Sequence, residues 1–144
     1  MIHILDTDVL TFVELSDSPE YLRLHARVLH LDSNDRLTTT IVTYEEQTRG
    51  WLAYAAKSGK TAHQVKAYGR LKRHLLTYLN FEVLDFDAAA GREFERLQML
   101  RLSIGSTDLK IAAIALSQNA ILLSRNLKDF GKIPNLKVED WTKE

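Results

Sequence analysis

The sequence contains no cysteine, only two prolines and no apolar run long enough to cross a membrane. The absence of cysteine excludes disulfide bonds, thiolate metal sites and cysteine nucleophiles. A membrane-spanning helix needs roughly 18 to 20 consecutive apolar residues, and the first residues lack the basic start of a signal peptide. We therefore expect a cytoplasmic protein whose metal ligands, if it binds a metal, are oxygen or imidazole. Carboxylate ligands would favour Mg²⁺ or Mn²⁺.

Acidic residues are absent from one long segment, although the whole chain carries 19 acidic and 19 basic residues and no net charge. Between residues 47 and 81 every charged side chain is basic; we call this the basic segment. Its charged residues are Arg49, Lys57, Lys60, Lys66, Arg70, Lys72 and Arg73. Lys66, Arg70 and Arg73 recur at helical spacing, so they share one helix face. This face is either a contact surface for RNA phosphates or an ordinary solvated surface.

The residues that are present predict one α/β domain spanning residues 1–144. The chain is 45% hydrophobic and 26% charged, and no repeat or linker divides it. Strands are predicted over residues 2–5, 36–42, 81–86, 120–124 and 136–139, with helices near residue 9, over 19–31, from 43, over 61–79, over 87–102 and from about 108. Alternating strands and helices indicate parallel βαβ units in a three-layer fold.

Apolar periodicity also predicts which helix faces point inward. The predicted apolar side of the 61–79 helix carries Val65, Tyr68, Leu71, Leu75, Leu76 and Leu79, and that of the next helix carries Phe94, Leu97 and Met99. The segment 109–116 is apolar nearly all round, so the helix that begins near Asp108 must be buried.

Asp6 directly follows the first predicted strand. In an open α/β sheet, ligands bind outside the carboxyl ends of the strands, so Asp6 is placed where a metal or a reacting group could sit. The structural alternative is that Asp6, or more plausibly Thr7 or Asp8, only caps the helix that follows.

Three further acids lie near the ends of predicted elements: Glu46, Asp108 and Asp129. Each has a structural alternative. Glu46 could complete a T-x-x-E capping box with Thr43, Asp108 could complement a helix dipole, and Asp129 could belong to a turn. Because parallel strands bring such ends to one sheet edge, however, the carboxylates should converge and repel each other unless a cation separates them. A divalent metal site is the natural resolution.

Five stretches together resemble the PIN-domain family, and in particular VapC-type toxins of bacterial type II toxin–antitoxin systems. In order they read ILDTDVL from Ile4, TYEEQTRG from Thr43, STDLKIAA from Ser106, LSRNLKDF from Leu123 and LKVEDW from Leu136. Each stretch alone is a weak signal, but their order and spacing cover nearly the whole chain.

The resemblance implies a parallel sheet of strand order 3-2-1-4-5 and a Mg²⁺- or Mn²⁺-dependent endoribonuclease. By motif position Asp6 and Asp108 would be the principal metal ligands, and Glu46 would complete the site. The fourth acidic position falls to Asp129 or Asn126. The resemblance also implies an RNA substrate, an antitoxin partner and a homodimer.

Two departures from the family pattern stand out. Asp8 replaces a residue that is commonly asparagine, which adds a negative charge near the site. The helical region from Trp51 to Leu79 is longer than in the shortest relatives, and it supplies the basic segment.

The mechanism expected from these residues is attack by a metal-activated water on the phosphodiester, leaving a 3′-hydroxyl and a 5′-phosphate. One carboxylate, Asp129 or Glu46, would orient that water. No histidine lies in the motifs, which argues against a general-base mechanism without a metal.

Two other functions remain open from the sequence. Asp6-Thr7-Asp8 also fits the start of haloacid-dehalogenase-like phosphatases, with Asp6 as nucleophile and Asp8 as acid/base, although the late acidic pair of that family is missing. The third possibility is a non-catalytic module that binds RNA or protein through the basic segment.

Overall fold

The computed structural model describes residues 1–14, 17–57 and 59–144, and within them five strands and seven helices. The strands are β1 (Ile2–Leu5), β2 (Arg36–Thr40), β3 (Glu82–Leu84), β4 (Ile121–Leu123) and β5 (Lys137–Glu139). The helices are α1 (Thr7–Glu14), α2 (Pro19–Val28), α3 (Ile41–Ala56), α4 (Thr61–Leu79), α5 (Ala88–Met99), α6 (Ser106–Ser117) and α7 (Leu127–Phe130).

The five strands form one parallel sheet in the order β3-β2-β1-β4-β5, as expected. The chain switches direction across the sheet between β1 and β4, so the carboxyl ends of these two central strands flank the switch point. In β2 the buried threonines bond across to β1: the hydroxyl of Thr38 donates to the carbonyl of His3 at 3.0 Å, and that of Thr39 to the carbonyl of Leu5 at 3.2 Å.

Two hydrophobic cores cover the two faces of the sheet. Because side chains alternate along a strand, Ile4 and Leu122 pack into one core with α5 and α6, whereas Leu5 and Leu123 pack into the other with α1, α2 and Tyr78. Residues 111–115 of α6 are completely buried, which confirms the buried-helix prediction. The three-layer α/β/α prediction is thus confirmed.

Several predicted boundaries and faces were wrong. β2 ends at Thr40 rather than at residue 42, because Thr40 caps α3 and its hydroxyl accepts the backbone N–H of Thr43 at 3.0 Å. Met99 is 82% exposed. The α4 residues that pack inward are Ala67, His74 and Tyr78, whereas most of the predicted apolar side is exposed: Val65, Tyr68, Leu75, Leu76 and Leu79.

Among the described residues, no helix is both long and apolar enough to span a membrane.

Gly131 ends α7 and is required there by space rather than by its backbone angles. Its φ of −64° is ordinary, but a Cβ would lie 2.6 Å from the backbone oxygen of Leu127. We expect Gly131→Ala to lower the free energy of unfolding by about 1–3 kcal/mol, because the backbone must shift to admit the methyl group. Urea denaturation of the purified variant measures this change.

The matched control is Gly91→Ala in α5, where a Cβ would meet no described atom within 4 Å. This substitution should be neutral or stabilising by about 0.5–1 kcal/mol, because alanine favours a helix interior. Equal destabilisation by both substitutions would contradict the steric argument.

Candidate active site

Asp6 lies between β1 and α1, at the carboxyl end of the central strand. Its side chain is 6% exposed, and both carboxylate oxygens accept hydrogen bonds: Oδ1 from the backbone N–H of Thr7 at 2.8 Å and Oδ2 from the hydroxyl of Ser124 at 2.7 Å. The backbone N–H of Asp6 donates to the carbonyl of Leu123 at 3.0 Å. The orientation of the carboxylate is therefore fixed by the two central strands.

The electrostatic environment disfavours the charged form of Asp6. Burial raises the pKa of Asp6 to about 7, and the charges of Asp8 and Asp108 act in the same direction. The hydrogen bonds from Ser124 and Thr7 lower the pKa but do not compensate for burial. A carboxylate in such a place is stabilised by a nearby cation.

Glu46 is joined to Asp6 through Thr7. The hydroxyl of Thr7 donates to Glu46 Oε1 at 2.5 Å, while the backbone N–H of the same residue donates to Asp6. Because α3 begins at Ile41 rather than at the predicted residue 43, Glu46 lies in the second turn of the helix instead of the first. The capping-box alternative is wrong, because Thr40 rather than Thr43 caps α3 and the Glu46 side chain contacts α1 instead.

Asp108 is the third residue of α6, where its carboxylate lies close to the helix N-terminus. It is partly exposed. Burial is the main cause that raises its pKa, followed by the charges of Glu46, Asp129 and Asp8. The charges that act on Asp108 thus come from three other segments of the chain, which carry Asp8 in α1, Glu46 in α3 and Asp129 in α7.

Asn126 and Asp129 are bonded to each other. Asn126 caps α7: its Oδ1 accepts the backbone N–H of Asp129 at 3.3 Å, and its Nδ2 donates to Asp129 Oδ2 at 3.2 Å. The bond from Asn126 and the Lys132 ammonium, 3.4 Å from Asp129 Oδ1, hold the pKa of Asp129 below its usual value. Asp129 therefore lies in the short helix α7 rather than in a plain turn, and its charge contributes to the raised pKa of Asp108.

Asp8, in the first turn of α1, has one buried oxygen with no hydrogen-bond partner among the residues described. Burial raises the pKa of Asp8, and the charge of Asp140 adds to this effect. The Arg125 side chain and the backbone N–H groups of Val9 and Arg125 act in the opposite direction.

The donor set fits a hard divalent cation, although it is not preassembled. In the part of the chain that the structure describes, no three Asp, Glu or His side chains are already grouped closely enough to hold one ion. All the candidate donors are nevertheless carboxylate oxygens that repel one another, and Asp8 adds an unsatisfied buried oxygen. A bound cation would relieve this repulsion.

Beside the carboxylates lies a cavity of about 600 Å³ between α1, α3 and α4. Its lining is Thr7, Thr11, Glu14, Gln47, Gly50, Trp51, Ala53, Tyr54, Lys57, Arg70 and Arg73. Two of the three basic residues predicted to share a face, Arg70 and Arg73, contribute to this lining, whereas Lys66 is exposed elsewhere on α4. The three residues lie on one continuous helix at spacings that share a face, and Lys66 is the one that lies outside the cavity lining.

The sequence did not identify Ser124 or Thr7 as residues that position the acids, although both donate hydrogen bonds to them. Ser124 directly follows β4, as Asp6 follows β1, so the same strand-end rule could have found it. Thr7 was considered only as a helix cap, and nothing in the sequence indicated its bond to Glu46, which lies 39 residues away.

A parallel 3-2-1-4-5 sheet with acids gathered beside its switch point defines a nuclease-like α/β/α domain. Residues 3–136 match the PIN domain family, and the chain belongs to that family. The match includes Asp6, Glu46, Asp108 and Asp129 within its bounds.

Individual relatives match along nearly their whole length. The chain is 32% identical to "Ribonuclease VapC1" of Haemophilus influenzae, covering 99% of this chain and 100% of the relative. It is 27% identical to "tRNA(fMet)-specific endonuclease VapC" of Salmonella typhimurium, covering 95% and 96%. The solved structure of VapBC-1 from nontypeable Haemophilus influenzae superposes with a TM-score of 0.76 at 30% identity, covering 99% of this chain and 100% of that one.

The raised pKa of Asp6 predicts how stability depends on pH. Between the ordinary pKa of 3.8 and the folded value of about 7, the folded protein binds more protons than the unfolded chain. The free energy of unfolding of the metal-free protein should therefore fall as pH rises through this window. We expect Asp6→Asn to raise the free energy of unfolding by about 1–4 kcal/mol at pH 8 and to change it little at pH 4.

Urea denaturation in EDTA at pH 4, 6 and 8 measures this difference. The control is Glu95→Gln, at an exposed position of α5, which should follow the parent at every pH. An Asp6→Asn effect of the same size at pH 4 and pH 8 would contradict the electrostatic explanation.

Proposed function

We propose that this protein is a cytoplasmic, metal-dependent endoribonuclease that acts as the toxin of a toxin–antitoxin pair. The observation that carries the proposal is the convergence of Asp6, Glu46 and Asp108 at the carboxyl edge of a PIN-domain sheet. The ribonuclease and endonuclease names of full-length relatives support RNA as the substrate.

In this proposal Asp6, Asp108, Glu46 and Asp129 hold Mg²⁺ or Mn²⁺. When bound, the metal supplies neutralisation of the phosphodiester charge and a water of lowered pKa. Asp6 is the most buried of these residues, and hydrogen bonds from Thr7 and Ser124 orient both its oxygens. Glu46 is oriented by Thr7, and it or Asp129 aligns the attacking water.

The products follow from attack by water on phosphorus with the 3′-oxygen leaving: a 3′-hydroxyl and a 5′-phosphate. The basic segment supplies the attraction for the RNA backbone. Arg70 and Arg73 lie beside the cavity next to the carboxylates, and Lys66 extends the positive charge along α4. Contacts with phosphate would make RNA binding dependent on salt concentration.

The proposed protein partners are a cognate antitoxin and a second copy of this chain. The relationship to the VapBC-1 structure supports the antitoxin. The exposed apolar side chains of α4, such as Val65 and Leu79 with 69% and 71% exposure, are of the kind that association between chains covers.

The phosphatase alternative receives no support from the structure. Its nucleophile would be Asp6, but both oxygens of that carboxylate are engaged in hydrogen bonds within a buried site, and the chain belongs to the PIN-domain family. A non-catalytic module would bind RNA without turnover, and the following experiment distinguishes it.

Asp6→Asn tests the proposed site because it keeps the side-chain shape while it removes a charge. We expect cleavage of total cellular RNA by the purified protein in Mg²⁺ to fall by about 100-fold or more, since a lost ligand removes several kcal/mol of transition-state stabilisation. EDTA should abolish the activity of the parent, and Mn²⁺ should restore it.

Glu95→Gln again serves as the surface-charge control and should cleave like the parent. Mass spectrometry of the fragments should show 5′-phosphate ends. Parent-like cleavage by Asp6→Asn, or parent activity unaffected by EDTA, would overturn the proposed metal site.

Asp129 and Asn126 compete for the fourth position near the metal. A carboxylate is a stronger ligand for a hard cation than an amide oxygen, and Asn126 already uses both its polar atoms on Asp129. We expect Asp129→Asn to raise the Mg²⁺ concentration needed for half-maximal cleavage by about 10-fold. Asn126→Asp should be tolerated or slightly activating.

Metal titrations of RNA cleavage by the two variants compare these roles directly. Lys132→Gln is the matched control, because it removes the ion pair with Asp129 and leaves the carboxylate in place. If Asp129→Asn equals the parent at limiting Mg²⁺, the fourth role belongs to Asn126.

A further inference from the structure

The cavity between α1, α3 and α4 opens directly beside the proposed cleavage site. Thr7 lines the cavity, and the same residue bonds to Asp6 through its N–H and to Glu46 through its hydroxyl. Gln47 also lines the cavity. Its Nε2 donates to the carbonyl of Thr7 at 3.4 Å, and its Oε1 accepts a hydrogen bond from the hydroxyl of Tyr78 at 2.7 Å. A group in the cavity would therefore be separated from the carboxylates by one residue.

One wall of the cavity is aromatic and cationic. Trp51 packs edge-on against Tyr54, with ring centroids 5.9 Å apart, and the Arg70 guanidinium lies 5.8 Å from the Trp51 ring. Lys57 and Arg73 also line the cavity, and the whole segment 47–81 lacks acids. Trp51 and Arg70 are planar groups on which a nucleobase stacks, and the cations suit its phosphates.

The α1 wall contains one acid, Glu14, and one oxygen of its carboxylate accepts no hydrogen bond within the described part of the chain. Its Oε1 is buried, and no described residue donates a hydrogen bond to it. Burial raises the pKa of Glu14, although the charges of Arg73 and Arg70 oppose that rise. Glu14 is only half-buried and lines the cavity, so a turn of its side chain would present both oxygens to a ligand that carries N–H donors.

Guanine fits this combination best among the four bases. Its Watson–Crick edge presents two adjacent donors, N1–H and N2–H, which match the two oxygens of a carboxylate. Adenine and cytosine each place an acceptor beside a single donor, and uracil places its one N–H between two carbonyl oxygens. Those acceptors would face the carboxylate and repel it.

We propose that the cavity is a subsite for one unpaired guanine of the RNA substrate, with Glu14 accepting its Watson–Crick edge and Trp51 stacking on its ring. Arg70, Arg73 and Lys57 then contact the flanking phosphates, and the neighbouring phosphodiester reaches Asp6 and Glu46. Glu14 is thus a specificity-determining residue. This inference rests on the proposed nuclease function for its substrate, although its binding chemistry can be measured without cleavage.

The binding experiment uses 5′-GMP, 5′-IMP, 5′-AMP, 5′-CMP and 5′-UMP with the Asp6→Asn protein, followed by calorimetry. We expect 5′-GMP to bind about 10- to 100-fold more tightly than 5′-AMP, 5′-CMP or 5′-UMP. 5′-IMP, which lacks the N2 amino group, should be intermediate. Glu14→Gln, added to Asp6→Asn, should remove the preference for 5′-GMP, because an amide offers one acceptor instead of two.

Two further variants guard against a loss of folding being mistaken for a loss of recognition. Trp51→Phe keeps an aromatic surface and should weaken all five nucleotides while the order of preference persists. Glu45→Gln removes an exposed acid of α3, paired with Arg49 outside the cavity lining, and should change nothing. Equal affinities for all five nucleotides, or an unchanged preference in Glu14→Gln, would overturn the proposal.

The cleavage experiment maps the ends produced from cellular RNA by sequencing. The parent and Glu45→Gln should show guanine enriched at one fixed position near the cut, and Glu14→Gln should lose that enrichment. Cleavage with the same base preference in all three proteins overturns the guanine subsite and leaves the nuclease proposal intact. Selective binding of 5′-GMP that depends on Glu14, without any RNA cleavage, supports the subsite and overturns the nuclease proposal.

A protein segment is the competing occupant. If the antitoxin loses affinity in Glu14→Gln while the nucleotide affinities stay equal to one another, the cavity is a protein-binding site and the guanine subsite is overturned.

Discussion

The burial of Asp6 beside other carboxylates is the constraint on which the rest of this site depends. Burial raises the pKa of Asp6 to about 7, with a smaller contribution from the charges of Asp8 and Asp108. Burial also raises the pKa of Asp108, followed by the charges of Glu46, Asp129 and Asp8. The fold keeps these groups together because the hydrophobic cores on both faces fix the strand ends and helix starts that carry them. A raised pKa of this kind costs stability at neutral pH, and the proposed cation would offset that cost.

Hydrogen bonds from small polar residues offset part of the cost of holding the carboxylates close to one another. Ser124 and Thr7 donate to Asp6, Thr7 also donates to Glu46, and Asn126 donates to Asp129. Each bond favours the charged form of one acid and holds it in one orientation. These bonds orient Asp6, Glu46 and Asp129 individually, although among the described residues the structure does not bring the acids together as a closed ligand set.

The same elements that build the carboxylate site also build the adjacent cavity. α1 begins with Thr7 at the acids and ends with Glu14 in the cavity wall, while α3 carries Glu46 on one side and Trp51 on the other. In the proposed function, cleavage and base selection would thus be set by the two ends of α1 and by different sides of α3. Because α4 contributes cations but no acids, the negative charge of Glu14 is isolated within a positive surround.

Alternating strands and helices in the sequence predicted the three-layer α/β class, and strand-end positions predicted the candidate acids, because these are local patterns that topology rules convert into positions. The strand order came from the resemblance of five stretches to the PIN-domain family, and the structure confirmed it. The sequence did not predict the inward face of α4. That helix carries many apolar residues, and their pattern did not indicate that Ala67, His74 and Tyr78 are the buried ones. The sequence also left two roles open for Glu46, since a local capping box and a long-range contact are both compatible with the same residues, and the bond from Thr7 excludes the capping box. Only tertiary structure decided these points, because the partner that a side chain reaches depends on packing between segments far apart in the chain.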